Sequence, residues 1–118
     1  MNIEELRGFC LSFKGVEESF PFDETTMVFK VMDKIFCLSG LENNPLQCNV
    51  KCDPEKALEL REEYTGVVPG YHMSKVHWNT LVFDDSFSDD MAKEWIRESY
   101  NLVVSGLPNR LKNELNAL

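Results

Sequence analysis

An α+β fold, with helices packed on a single antiparallel sheet, is the class this sequence predicts, and three observations point to it. Stretches at the N-terminus, in the middle and toward the C-terminus carry apolar residues at helical spacing. Between Val16 and Val50 the texture changes to short apolar segments rich in β-branched and aromatic residues. These are broken by Pro21, Met32-Asp33-Lys34 and Asn43-Asn44-Pro45, as in an antiparallel meander. The chain has 118 residues, 43% of them hydrophobic, enough for one buried core and too few for two of ordinary size. Residues 1–118 are therefore read as one domain in the order α, three or four strands, α, β, α, without repeats or an interdomain linker.

Each element has its own signal. Asn2 is placed to cap a first helix in which Ile3, Leu6, Phe9, Cys10 and Phe13 share a face, with Glu4 and Glu5 in the first turn, where the dipole favours anions. Lys14-Gly15 should end it. The clearest hairpin joins Met27–Val31 to Ile35–Leu41, with Asp33-Lys34 as its tip and Lys30 close by. In the segment 46–52, Leu46, Cys48, Val50 and Cys52 alternate with Gln47, Asn49 and Lys51, so the strand period turns both cysteines toward the core. Asp53-Pro54-Glu55 joins an N-cap side chain to a proline at the first helical position; this second helix should run to about Tyr64 and stop by Gly66. Val67–Lys75 reads as irregular, with Pro69-Gly70 as a turn, before a strand at about His77–Phe83. Ser88 caps a long third helix with Ala92, Trp95, Ile96, Ser99, Leu102 and Val103 as its core stripe, and Leu107-Pro108 bends or restarts the chain toward Leu118.

Composition narrows the function. Met1-Asn2-Ile3-Glu4-Glu5 lacks the basic and apolar regions of a signal peptide, and no apolar run reaches bilayer length, so a cytoplasmic protein without membrane partners is expected. The cysteines at 10, 37, 48 and 52 fit no zinc or redox spacing and are read as free, buried thiols. His72 and His77, five residues apart, match neither a helical nor a same-face strand pair of ligands. The chain has no nucleophile elbow, phosphate loop or EF-hand pattern, and Asp84-Asp85 with Asp89-Asp90 read as solvated acids. No metal, no cofactor and no enzymatic activity are expected. A formal charge of −8 repels polyanions unless basic residues gather on one face.

One segment stands out. From Thr65 to Phe83 the only formally charged side chain is Lys75, set among Tyr71, His72, His77, Trp78 and Asn79. A cation among aromatics and an amide suits phosphate contact with stacking, or grip on an acidic peptide. The competing reading makes Tyr71 and Trp78 core anchors, with the histidines and Asn79 satisfying loop backbone groups.

The run Pro69-Gly70-Tyr71-His72-Met73-Ser74-Lys75-Val76-His77-Trp78-Asn79-Thr80 resembles the signature of the MmcQ/YjbR family. So do Asn49-Val50-Lys51-Cys52-Asp53-Pro54-Glu55 leading to Leu60-Arg61, and Ser99-Tyr100 through Leu107-Pro108, in the same order over nearly the whole chain. The resemblance implies a CyaY-like or secretion-chaperone-like domain of the double-wing kind and a DNA-binding role. It assigns the hairpin with Lys30 and Lys34 to one wing and sets the Tyr71–Asn79 loop beside the other. Lys51, Lys75 and His77 would then be phosphate contacts, joined by His72, Trp78 and Asn79 and, more weakly, by Arg61. With no recognition helix to read bases, weak backbone binding is expected. The alternatives are an acidic protein-interaction module of adaptor or chaperone type and a ligand-binding or enzymatic domain centred on His72 and His77.

Overall fold

The first helix, α1 (Ile3–Leu11), starts at its expected cap. In the computed structural model, which describes residues 1–118, the Asn2 side-chain oxygen accepts from the Glu5 N–H at 2.8 Å and Glu5 Oε1 accepts from the Asn2 N–H at 3.3 Å. The helix stops short of Lys14, and Gly15, at φ 73°, supplies the left-handed turn into the sheet. Four strands follow as the meander β1 (Val16–Ser19), β2 (Thr26–Val31), β3 (Lys34–Gly40) and β4 (Gln47–Lys51). Then come α2 (Pro54–Glu63), β5 (Val67–Pro69), β6 (Trp78–Val82), α3 (Asp89–Ser105) and α4 (Asn109–Asn116). All pairings are antiparallel in the order β1-β2-β3-β4-β6-β5.

Three details differ from the sequence reading. The hairpin tip is Met32-Asp33, at φ 48° and 65°, because a two-residue type I′ turn needs both central residues in the left-handed region; Lys34 thus opens β3. Val67–Pro69, read as irregular, pairs with β6 at the sheet edge, a position where proline's missing N–H is tolerated. In α3, Tyr100 joins the buried stripe and Leu102 is only half-buried, because Tyr100 lies one helical repeat beyond Ile96.

Register fixes two unlike faces. Met27, Phe29, Cys37, Cys48, Val50 and Leu81 point to the helices and are buried. α3 crosses β2, β3 and β4 on that side. Phe36, Tyr100 and Phe13 tie sheet, α3 and the end of α1 together, with Phe13 stacked on Tyr100 at 4.8 Å and Phe36 edge-on to it at 5.4 Å. Burying one such side chain stabilises by about 1.5–3 kcal/mol. Between Phe29 and Lys30 the β2–β3 register slips, leaving Phe36 and Cys37 both buried. The Ser99 hydroxyl fills the gap this opens, accepting from the Lys51 N–H at 2.8 Å and donating to the Phe36 carbonyl at 2.6 Å. Cys10, Cys37 and Cys48 meet in the core as free thiols, and their contact, with burial, pushes the Cys37 thiol well above its ordinary pKa.

The opposite face carries Val28, Leu38, Asn49, Lys51, Trp78 and Thr80 and has no helix on it. The β1–β2 connection and the β5–β6 loop border it instead.

Candidate nucleic-acid interface

Lys51 ends β4 and Trp78 opens β6, directly opposite each other in the ladder, so both side chains stand on the helix-free face. Lys34, opposite the buried Val31 in the hairpin, opens β3 at the same end of the sheet, where the face meets the end of α3. Lys34, Lys51 and Trp78, with Ile35, Met73 and Leu107, border a cleft of about 480 Å³ between the hairpin and the C-terminal end of α3. Ion pairs join Arg7 to Glu18, Lys56 to Glu98, Arg97 to Glu94 and Arg110 to Glu114. None engages Lys30, Lys34 or Lys51, so the cleft holds two uncompensated ammonium groups beside a half-buried indole, with Asp33 as the one acid on its rim.

The remaining candidates fall elsewhere. Lys30 lies across the hairpin in a separate groove with Glu17, its cross-strand neighbour, and Asp33. Lys75 is exposed, and its ammonium donates to the Gly70 carbonyl at 3.0 Å, curling back on its own loop. His77 is exposed just before β6, its carbonyl accepting from the Cys52 N–H at 2.8 Å. Asn79 is not on the surface: it is 1% exposed, its Oδ1 accepts from Arg61 Nε at 2.7 Å and its Nδ2 donates to the Ala57 carbonyl at 3.4 Å. Asn79 points to the helix side because it pairs with Val50 in the ladder, so its amide supports α2 from within. Arg61 is likewise occupied, donating to the Lys75 and Trp78 carbonyls as well as to Asn79. Together they fasten the 75–79 segment to α2.

His72 lies at the other end of the helix-free face. With Tyr71 and Met73 it lines a second cleft, also about 480 Å³, closed on the far side by Phe22 and Asp23 and rimmed by Glu42. Met73 lines both clefts, so the 71–78 segment separates them. Tyr71 is no core anchor: its ring is 67% exposed, in contact with His72 at 4.0 Å between centroids. Its backbone is held tightly, however. The Tyr71 N–H donates to Thr80 Oγ1 at 2.9 Å, Asn49 Nδ2 donates to the Tyr71 carbonyl at 2.9 Å, and Thr80 Oγ1 donates to Asn49 Oδ1 at 2.6 Å. Sequence reasoning missed Phe22, Asp23 and Glu42. The available signal was an aromatic next to a proline in a segment with no strand or helix period, where burial does not account for it.

No three His, Cys, Asp or Glu side chains converge as metal ligands, and no helix is long and apolar enough to cross a membrane. The Cys52 thiol, near the Lys56–Glu98 ion pair, is pushed up to about 11, chiefly by burial.

With this geometry in place, similar proteins are informative. The family model YjbR matches residues 11–102, which run from the end of α1 through most of α3 and include the whole lining of the second cleft and Lys34, Lys51 and Trp78 of the first. YbdF of Escherichia coli O157:H7 is 36% identical over 107 residues, covering 91% of this chain and 88% of its own length. YjbR of Escherichia coli K12 is 33% identical over 116 residues, covering 98% of each chain. Neither relative carries an assigned activity. The crystal structure of Deinococcus radiodurans DR2400, a DUF419 domain, superposes with a TM-score of 0.90 at 35% identity, over 98% of this chain and 88% of that one. A Pseudomonas syringae protein shares the fold at a TM-score of 0.73 and 22% identity, over 86% and 98% of the two chains. The family match over most of the chain, two relatives above 30% identity over nearly their whole length and a superposing fold together show that the chain belongs to the YjbR family.

Proposed function

We propose that this protein binds DNA weakly, through phosphate contacts at the cleft bordered by Lys34, Lys51 and Trp78, with the β2–β3 hairpin acting as a wing. The observation that carries the reading is the pairing of two ammonium groups free of ion pairs with an indole on one rim, in a chain of net charge −8. Ammonium groups exchange condensed counterions for phosphate, and an adjacent aromatic gives sugar or base a surface to rest on. The role is one of binding, not catalysis, in the cytoplasm. Lys75, whose ammonium is turned back on the Gly70 carbonyl, and His77 lie outside the cleft, and Lys30, paired across the strand with Glu17, contributes little.

With about two or three phosphates neutralised, affinity should fall roughly ten- to fortyfold between 50 and 200 mM salt, from a dissociation constant in the ordinary non-specific range of about 10⁻⁴ to 10⁻⁶ M. Fluorescence anisotropy with a labelled duplex and a labelled single strand, across that salt series, tests this. The reading requires that Lys34→Ala with Lys51→Ala flatten the salt slope by about two units of counterion release. Absence of binding at low salt, or a slope unchanged in the double variant, removes it.

A further inference from the structure

The second cleft is built differently, and the DNA reading makes no use of it. Its two walls are loops fixed by their own hydrogen bonds, each presenting an aromatic ring to solvent. On one wall the Asp23 carboxylate accepts from the Thr25 N–H at 2.9 Å and the Thr26 N–H at 2.7 Å, and the ring beside it, Phe22, is 65% exposed. On the other, Asn49 and Thr80 clamp both backbone polar groups of Tyr71, whose ring is left out over the cleft. His72, next to it, is held at φ 59°, a left-handed conformation that is unfavourable for a non-glycine residue and persists only where the surroundings impose it. Fixed backbone beneath exposed rings is the arrangement of a binding surface ordered before its ligand arrives.

The charge of the lining selects the ligand. Asp23 and Glu42 are its formally charged residues, and no Lys or Arg lines it. Glu42 takes part in no ion pair. Aromatic faces next to carboxylates attract a cation that carries apolar surface, as a guanidinium does, and they repel phosphate. Apolar side chains are exposed beyond the lining as well, Leu41 between the lining residues Gly40 and Glu42, and Val68, which pairs with Thr80 on the same sheet face. That extent exceeds one side chain and matches a peptide.

We infer that this cleft is a docking site for a basic segment of a partner protein, an arginine seated between Phe22 and Tyr71 and facing Glu42, with flanking apolar residues toward Leu41 and Val68. The site is independent of the lysine cleft and stands whether or not DNA binds there.

The test uses the full chain, labelled with ¹⁵N, and two blocked pentapeptides: one with a central arginine between leucines, the other with glutamate in its place. The arginine peptide should give saturable shifts at Phe22, Gly40, Tyr71 and His72, and the glutamate peptide none. Tyr71→Ala and Phe22→Ala should each weaken binding roughly three- to tenfold, the size of one cation–π contact. Glu42→Lys should weaken it at least as much, giving a second route should an aromatic variant lose its fold in the same spectra. No saturable shift with the arginine peptide overturns the proposal, as do equal responses to both peptides or indifference to Tyr71→Ala and Glu42→Lys. Tetramethylammonium binding as tightly as the peptide also overturns it, in favour of a site for free organic cations.

Discussion

The two ends of the sheet share a bordering segment and nearly equal clefts, yet differ in charge and in how their aromatic groups are held. At the hairpin end Lys34 and Lys51 flank Trp78, whose indole is half-buried against the strand. At the other end, about 17 Å away along β2 by strand rise, Phe22 and Tyr71 are largely in solvent beside Asp23 and Glu42. An acidic protein of this kind can keep a small cationic site because its other basic residues are mostly engaged by carboxylates or backbone carbonyls. Net charge therefore constrains the long-range encounter, while the local grouping of unpaired side chains decides what each end attracts.

The largest effect should come from removing what both ends depend on. Asn79→Ala strips Arg61 of its buried acceptor, and loss of such a charge-assisted bond costs about 1.5–3 kcal/mol. Chemical denaturation should register that loss, and the 71–78 segment should exchange amide protons faster, impairing both clefts. A smaller and one-sided effect is expected from Thr80→Val, which removes the acceptor for the Tyr71 N–H and the donor to Asn49. Stability should drop by about 1–2 kcal/mol, with Tyr71 and His72 loosened and the Lys34 and Lys51 signals unmoved. Lys34→Ala and Lys51→Ala are smaller still for the fold, within about 0.5 kcal/mol, since neither side chain is paired.

The smallest effect is a pH dependence confined to the acidic end. Backbone N–H groups of Thr25 and Thr26 and the Thr26 hydroxyl hold the Asp23 carboxyl below its ordinary pKa. The folded protein thus binds this proton less readily than the unfolded chain, whose value lies near 3.9. The contribution of the turn is complete above that value and fades as pH falls through it toward the folded pKa. The Thr25 and Thr26 amide resonances should shift only in that acid range, and Asp23→Ala should abolish the transition while leaving the hairpin end unaffected.

Much of this was legible in the sequence. Capping residues Asn2, Asp53 and Ser88 mark their helices because each side chain satisfies a free N–H of the first turn, a local matter of three or four residues. Alternation from Gln47 to Cys52 set the strand face for the same local reason. β5 escaped because a three-residue edge strand exists only through its pairing with β6, a long-range fact with no period of its own. Asn79 was misplaced because pairing across β4 and β6, not its loop neighbours, sets its direction. The acidic cleft was invisible for a related reason. Its walls are separated by some fifty residues and meet only because the meander brings Thr26 and Gly40 to the strand end that Tyr71 overhangs.

The most direct test of two chemically opposed ends of the sheet is a titration of the ¹⁵N-labelled protein with a short single-stranded oligonucleotide at low salt. Shifts are expected at Lys34, Lys51 and the Trp78 indole, reversed by added salt, with Phe22, Gly40 and Tyr71 still. Shifts centred on Phe22 and Tyr71, or none at the lysines, would contradict that expectation.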